Sequence, residues 1–277
     1  MLAGVGESGA GTSPAAVELT GVGKVFAGRS GEVAALAGID LTVVVGEFVT
    51  LIGPSGCGKS TLLRLVADLT EPTAGTLRVN GKSPRQARLD QDYGIAFQQA
   101  GLMDWRSVAR NIELPLELRG WDRRRRRQRA VELLELVGLP EFADHRPSEL
   151  SGGMQQRVAI ARALAAGPRL LLMDEPFGAL DEMTRERLQA ELARICRETE
   201  ASVVFVTHSI PEAVYLSDRV VVMSARPGRV TRTVDVELGE RTEEIRGAPE
   251  FFAKVTEVRE ALRGRRGAGS VAEGAQR

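Results

Sequence analysis

Cysteine, histidine and aromatic side chains are scarce: two Cys, two His, two Trp, two Tyr and eight Phe in 277 residues. Neither Cys57 nor Cys196 has the spacing of a disulfide framework or a metal site, so a reducing compartment is the simplest setting. Charge of one sign is also missing. Lys+Arg and Asp+Glu balance at 37 each, which removes the electrostatic case for nucleic acid as the main partner. No run of about 18 apolar residues occurs, and the first residues lack the basic start and apolar stretch of a signal peptide. The chain is therefore expected not to cross a membrane by itself. What it does have is 43% hydrophobic residues, enough to bury the core of one domain, or of one domain with a subdomain.

Gly/Ala/Ser-rich stretches at 1–15 and 264–277 are expected to be tails. Between them, alternation predicts strands over Val17–Val25 and Ala34–Val45, and Glu47–Gly53 reads as a buried strand running into a glycine-rich loop. Asn80-Gly81 signals a hairpin turn, and Tyr93–Gln98 a further strand. From Val108 to Ala166 the pattern is helical, an insertion in an α/β domain. Parallel-type strands are predicted at Arg169–Met173, Ser202–Thr207 and Arg219–Ser224. Helices are predicted over Glu182–Thr199 and Pro211–Leu216, the latter with a capping-box start at Ser209 and Glu212.

Three motifs carry chemistry. Gly53-Pro54-Ser55-Gly56-Cys57-Gly58-Lys59-Ser60 is a phosphate loop in its strand, loop and helix setting. Its backbone N–H groups cradle phosphates, Lys59 reaches the β- and γ-phosphates, Ser60 offers a hydroxyl to Mg²⁺, and Thr61 donates toward the α-phosphate. Asp174 follows an apolar run at a strand end, where a carboxylate holds Mg²⁺ through water, and Glu175 beside it suits the activation of an attacking water. His208 ends a buried strand at the ligand edge of the sheet and is expected on the γ-phosphate. His145 reads as a surface residue. The third motif, Leu150-Ser151-Gly152-Gly153-Met154-Gln155-Gln156-Arg157, places Ser151, Gly152 and Gly153 at a helix N-terminus suited to meeting a phosphate.

In this order and spacing the three motifs resemble those of the ATP-binding cassette (ABC) ATPases, over roughly residues 17–252. The resemblance implies an α/β fold: a RecA-like core carrying the phosphate loop, an antiparallel β subdomain and a helical signature subdomain at about 106–166, with a C-terminal helix and tail over 253–277. It implies ATP and Mg²⁺ as ligands. By the same resemblance Gln98 senses Mg²⁺ and the γ-phosphate, Phe26 stacks on adenine, Asp181 belongs to a loop communicating between two sites, and the signature completes the site of a second copy in a head-to-tail dimer. Leu102, Met103 and Trp105, just after Gln98, are expected to form an apolar socket for a membrane permease.

The phrases Phe97–Arg106, Asp174–Asp181 and Ser224–Val230 look like those of importers for nitrate, sulfonate and taurine, with pyrimidine-precursor importers an alternative. The expected setting is the cytoplasmic face of the cell membrane, with an extracytoplasmic solute-binding protein as an indirect partner. A soluble ABC ATPase acting on DNA or ribosomes fits less well, since neither a coiled-coil insertion nor a second cassette is present. The run Arg123–Arg127 reads as a solvated helix face, although arginines at a helix start oppose its dipole, a placement the sequence alone does not explain.

Overall fold

The computed structural model describes residues 14–28, 31–242 and 244–264. Of the expected tails, Pro14, Ala15 and Gly264 fall among these residues, Ala15 opening a strand and Gly264 closing the last helix. Nine strands and eight α-helices follow in order among the described residues. The long strands β1 (Ala15–Gly28) and β2 (Gly31–Val44) pair antiparallel, and β4 (Ala74–Val79) adds to the other edge of β1. Their alternation of buried and exposed residues is that of a sheet with one covered face.

The second sheet has the order β5-β6-β7-β3-β8-β9, with β3 (Phe48–Ile52), β5 (Tyr93–Ala96), β6 (Leu170–Asp174), β7 (Ser202–Val206), β8 (Arg219–Met223) and β9 (Val230–Asp235). All its pairs are parallel except β8 with β9. The strands β3, β6 and β7 are buried at every residue, and a continuous apolar run such as the Leu-Leu-Leu-Met of β6 suits a sheet covered on both faces. One apolar core lies between the two sheets and α1 (Lys59–Val66), and a larger one joins the other face of the six-stranded sheet to the remaining helices.

The helical insertion comprises α3 (Val108–Leu118), α4 (Arg123–Leu136) and α5 (Gly152–Leu164). Each starts on a side-chain cap: Ser107, Asp122 and Ser151 accept from the N–H three residues on, satisfying one of the free donors of a first turn. Among the described residues no helix is long and apolar enough to span a membrane.

Several expectations need correction. Asn80 and Gly81, both at positive φ, do close a tight turn, but it pairs only Val79 with Lys82. A short helix, α2 (Pro84–Leu89), follows in place of a returning strand, because Ser83 caps it and Pro84 fits its first turn. The edge strand β9 carries only one buried residue and too little apolar alternation to stand out. The boundary expected at 252 falls inside α8 (Pro249–Arg263), whose Phe251, Val255 and Val258 belong to the larger core. At α7 (Ile210–Leu216) only half of the capping box forms: Ser209 Oγ accepts from Glu212 N, while the buried Glu212 carboxylate takes a hydrogen bond from Gln189 Nε2 at 2.8 Å.

Candidate functional site

Strand register assembles the site. Leu51 of β3 pairs with Val206 of β7, Val206 with Asp174 of β6, and Met173 with Ala96 of β5. The four parallel strands thus end level, and the residues just beyond them emerge along one sheet edge. Those residues are the phosphate loop, Asp174 with Glu175, His208 and Gln98, and ligands bind at such carboxyl ends.

The loop and its helix are shaped for an anion. Gly58, at φ 105, caps α1 without a side-chain hydrogen bond, and no acidic residue sits in the first turn, so its N–H groups face outward with the positive end of the helix dipole. A Cβ at Gly58 would lie 2.6 Å from Leu36 Cδ2 and 3.0 Å from the Ala35 carbonyl. Only glycine fits. The buried Lys59 ammonium donates to the carbonyls of Gly53 at 2.9 Å and Pro54 at 3.2 Å, contacts that a buried charge requires.

A cavity of about 640 Å³ opens over this loop, lined by Ser55–Thr61, by Phe26, Val33 and Ala35 of the β1–β2 hairpin, and by Gln98, Glu175, His208 and Arg226. Ser60 Oγ donates to Asp174 Oδ1 at 2.9 Å. Burial pushes the Asp174 carboxyl above its ordinary range; the Ser60 hydrogen bond opposes this, and the neighbouring Glu175 adds to it. Glu175 adopts φ 47, a left-handed backbone for a non-glycine residue. Its Oε2 accepts from Gln98 Nε2 at 3.3 Å and lies 3.3 Å from His208 Nδ1. Three residues singled out separately in the sequence thus meet at one carboxylate oxygen. Phe26, 42% exposed, lies on the cavity wall with the Lys24 ammonium 4.9 Å above its ring, so it is no core phenylalanine.

Ser151 caps α5 and is exposed, with Gly152 beside it, and none of the signature residues lines this cavity. A Cβ on Gly153 would approach the Ala179 carbonyl to 3.1 Å, so the signature turn lies against the loop that ends at Asp181. There Asp181 caps α6 (Glu182–Thr199), and the Thr184 N–H bond holds its carboxyl below the usual range.

The expected apolar socket is divided. Leu102 packs inward on the larger core, Trp105 is 72% exposed, and Met103 alone of the three lines an apolar groove of about 480 Å³ that also takes in Tyr93, Phe97, Leu114 and Leu118. Sequence reasoning missed the residues that hold this loop. Buried Asn111 accepts from Met103 N and donates to the carbonyls of Met103, Arg106 and Ser107. Gln156 of α5 donates to the Phe97 carbonyl at 2.9 Å, and Arg162 to Ala100 and Gly101. Arg226 was missed too; it donates to the Gly56 carbonyl at 3.4 Å from a loop whose Gly228 leaves no room for a Cβ, 2.0 Å from the Cys57 carbonyl. A backbone partner leaves no mark in a one-dimensional pattern.

Residues 36–178 match the family model described as ABC transporter. The chain belongs to the ABC transporter family. This ABC cassette is an ATP-binding ATPase with a RecA-like core, an antiparallel β subdomain and a helical subdomain. It is 44% identical over 256 residues to the nitrate import ATP-binding protein NrtD of Synechocystis sp., covering 90% of this chain and 96% of that protein. It is 46% identical over 244 residues to the taurine import ATP-binding protein TauB of Rhizobium johnstonii, covering 86% and 92%. Among solved structures, the dimeric bacterial ABC transporter cassette MJ0796 superimposes with a TM-score of 0.75 at 36% identity, over 80% of this chain and all of that one. A second structure of the same cassette, a dimeric post-hydrolysis state bound to ADP and Pi, matches equally. The ABC cassette here thus resembles import ATP-binding proteins over 86–90% of its sequence.

Proposed function

We propose that this chain is the motor subunit of a membrane importer, hydrolysing ATP at two sites enclosed by a head-to-tail dimer of itself or of a homologous subunit. The observation that carries this reading is the likeness to nitrate and taurine import subunits over more than nine-tenths of their lengths. In each site the loop from Gly53 through Gly58, with Lys59 and Thr61, holds the phosphates, and Phe26 stacks on adenine. Ser151, Gly152 and Gly153 reach the γ-phosphate of the partner's nucleotide, and Asp181 links the two sites.

The oxygen donors of Ser60 and Asp174, 2.9 Å apart, with the amide oxygen of Gln98, suit Mg²⁺, a hard cation that favours such ligands. When bound, that ion neutralises charge on the transferred phosphoryl group. Glu175 orients a water and accepts its proton, while Gln98 and His208, each 3.3 Å from its Oε2, fix that carboxylate and face the γ-phosphate. The apolar groove beside Met103, with exposed Trp105 nearby, receives a cytoplasmic segment of the permease, which places the subunit peripherally on the cytoplasmic side of the cell membrane. Solutes of the nitrate, sulfonate or taurine type, delivered by a solute-binding protein outside, fit the relatives.

The test is affinity purification from detergent-solubilised membranes of the native host, with mass spectrometry of what accompanies the tagged chain. A polytopic permease is expected. Ribosomal or DNA-repair proteins without a membrane partner would overturn the reading.

A further inference from the structure

The arginine run Arg123–Arg127 lies outside the nucleotide site. In the fold Arg123, Arg126 and Arg127 meet α3 around a polar cavity of about 460 Å³, lined by five arginines and three carboxylates, which leaves an excess of two positive charges. Two of the arginines are answered: Arg106 pairs with Glu117 at 2.8 Å and Arg127 with Asp144 at 3.2 Å. Two others, the exposed Arg110 and Arg123, form no side-chain hydrogen bond or ion pair among the described residues, although the Arg106 hydrogen bond, helped by the Arg110 charge, holds the Glu117 carboxyl below its usual range. Arg126, also in the lining, donates through Nη1 to the Trp121 carbonyl at 3.1 Å, while its Nε is shielded from solvent without a hydrogen-bond partner. Its nearest carboxylate, Glu113 Oε2, stands 3.9 Å away, and Arg127 Nη1 is as far from Glu113 Oε1, beyond hydrogen-bonding range.

We propose that this cavity is a binding site for a phosphate-bearing anion, either the headgroup of an anionic phospholipid or a free phosphate compound. Guanidinium groups match phosphate with paired, charge-assisted hydrogen bonds, and Arg110 and Arg123, exposed at the cavity with no carboxylate of the described residues in ion-pair range, are placed to make them. The dipole of α4 is already met by the Asp122 carboxylate at its N-cap, which accepts from Arg125 N at 3.0 Å, so the cavity's excess charge comes from the guanidinium groups themselves. The site is separate from the groove beside Met103, because Leu114 and Leu118 of α3 line the groove while Arg106, Arg110, Glu113 and Glu117 line the cavity.

The full chain saturated with ADP, so that its phosphate loop is filled, is titrated with pyrophosphate by calorimetry and floated with phosphatidylglycerol or phosphatidylcholine vesicles. Arg110→Gln with Arg123→Gln, both on exposed positions, is expected to weaken binding at least about tenfold, the loss of one or two charge-assisted hydrogen bonds. ATP turnover of this variant should match wild type and reports that it folds. Arg124→Gln with Arg129→Gln removes the same charge from α4 outside the cavity and should leave binding unchanged. Loss on phosphatidylglycerol vesicles alone assigns a lipid headgroup; loss on pyrophosphate alone assigns a free phosphate compound. No binding of either probe, or equal weakening by both variants, overturns the proposal.

Discussion

The hydroxyl of Ser60 donates to the carboxylate of Asp174 across 2.9 Å, although 114 positions separate them in the chain. The first residue lies in the first turn of the phosphate loop's helix, and the second ends β6, two places from β3 in the sheet. Their meeting fixes where the phosphate loop stands relative to the acidic pair, and the predictions on the site start from it.

Burial holds the Asp174 carboxyl above its ordinary value of 3.8. A folded pKa above the unfolded one favours the native state while the group is protonated, so that stabilisation is complete below the unfolded value and is lost as pH rises through the folded one. Asp174→Asn keeps an oxygen for Ser60 and removes the buried charge. It should therefore melt at or above the wild-type temperature at pH 7 without metal, and lose the rise that Mg²⁺ and ATP give the wild type. Differential scanning fluorimetry at pH 5 and 7 measures both, and a variant less stable than wild type in metal-free buffer at pH 7 contradicts the account.

Glu175→Gln preserves size and hydrogen bonding but cannot take a proton. ATP binding should persist while turnover falls by about 10² to 10⁴, the usual range for general-base assistance. Phosphate release alongside nucleotide titration checks this, and turnover within about threefold of wild type would sink the assignment.

Asn111 is fully buried and serves four backbone groups of the loop after Gln98. Asn111→Ala strands them in a water-poor interior, at a cost of about 1–3 kcal/mol. Urea unfolding reads the loss directly, and a midpoint matching wild type would show that the loop holds itself.

Trp105 is 72% exposed, so Trp105→Ala should change stability by no more than about 0.5 kcal/mol. If it anchors the permease, affinity falls by roughly thirtyfold, the weight of an aromatic anchor of about 2 kcal/mol, and solute uptake falls with it while the isolated subunit hydrolyses ATP normally. Unchanged uptake in membranes holding the permease would reject this role.

The motifs were legible because each works through local geometry. A strand running into Gly53–Ser60, a carboxylate pair behind an apolar run, and Ser151 before two glycines each imply their chemistry wherever they occur. The divided fate of Leu102, Met103 and Trp105 was not legible. In a loop without period, nothing along the chain says which side chain turns inward, and three apolar residues read alike until Asn111, Gln156 and Arg162 fix the backbone. The second sheet's edge strand and α2 were equally faint, since both bury little.

By itself, then, the sequence determined the kind of fold and marked the residues proposed to cradle phosphate, hold a cation and activate water, because periodicity and loop chemistry are properties of neighbours along the chain. Only the tertiary structure decided that Gln98 and His208 share one oxygen of Glu175, that Arg226 reaches the phosphate loop, and that three arginines of the run line a cavity. The first two depend on strand order and register, which bring together residues as much as 170 positions apart, and the third on the packing of α4 against α3.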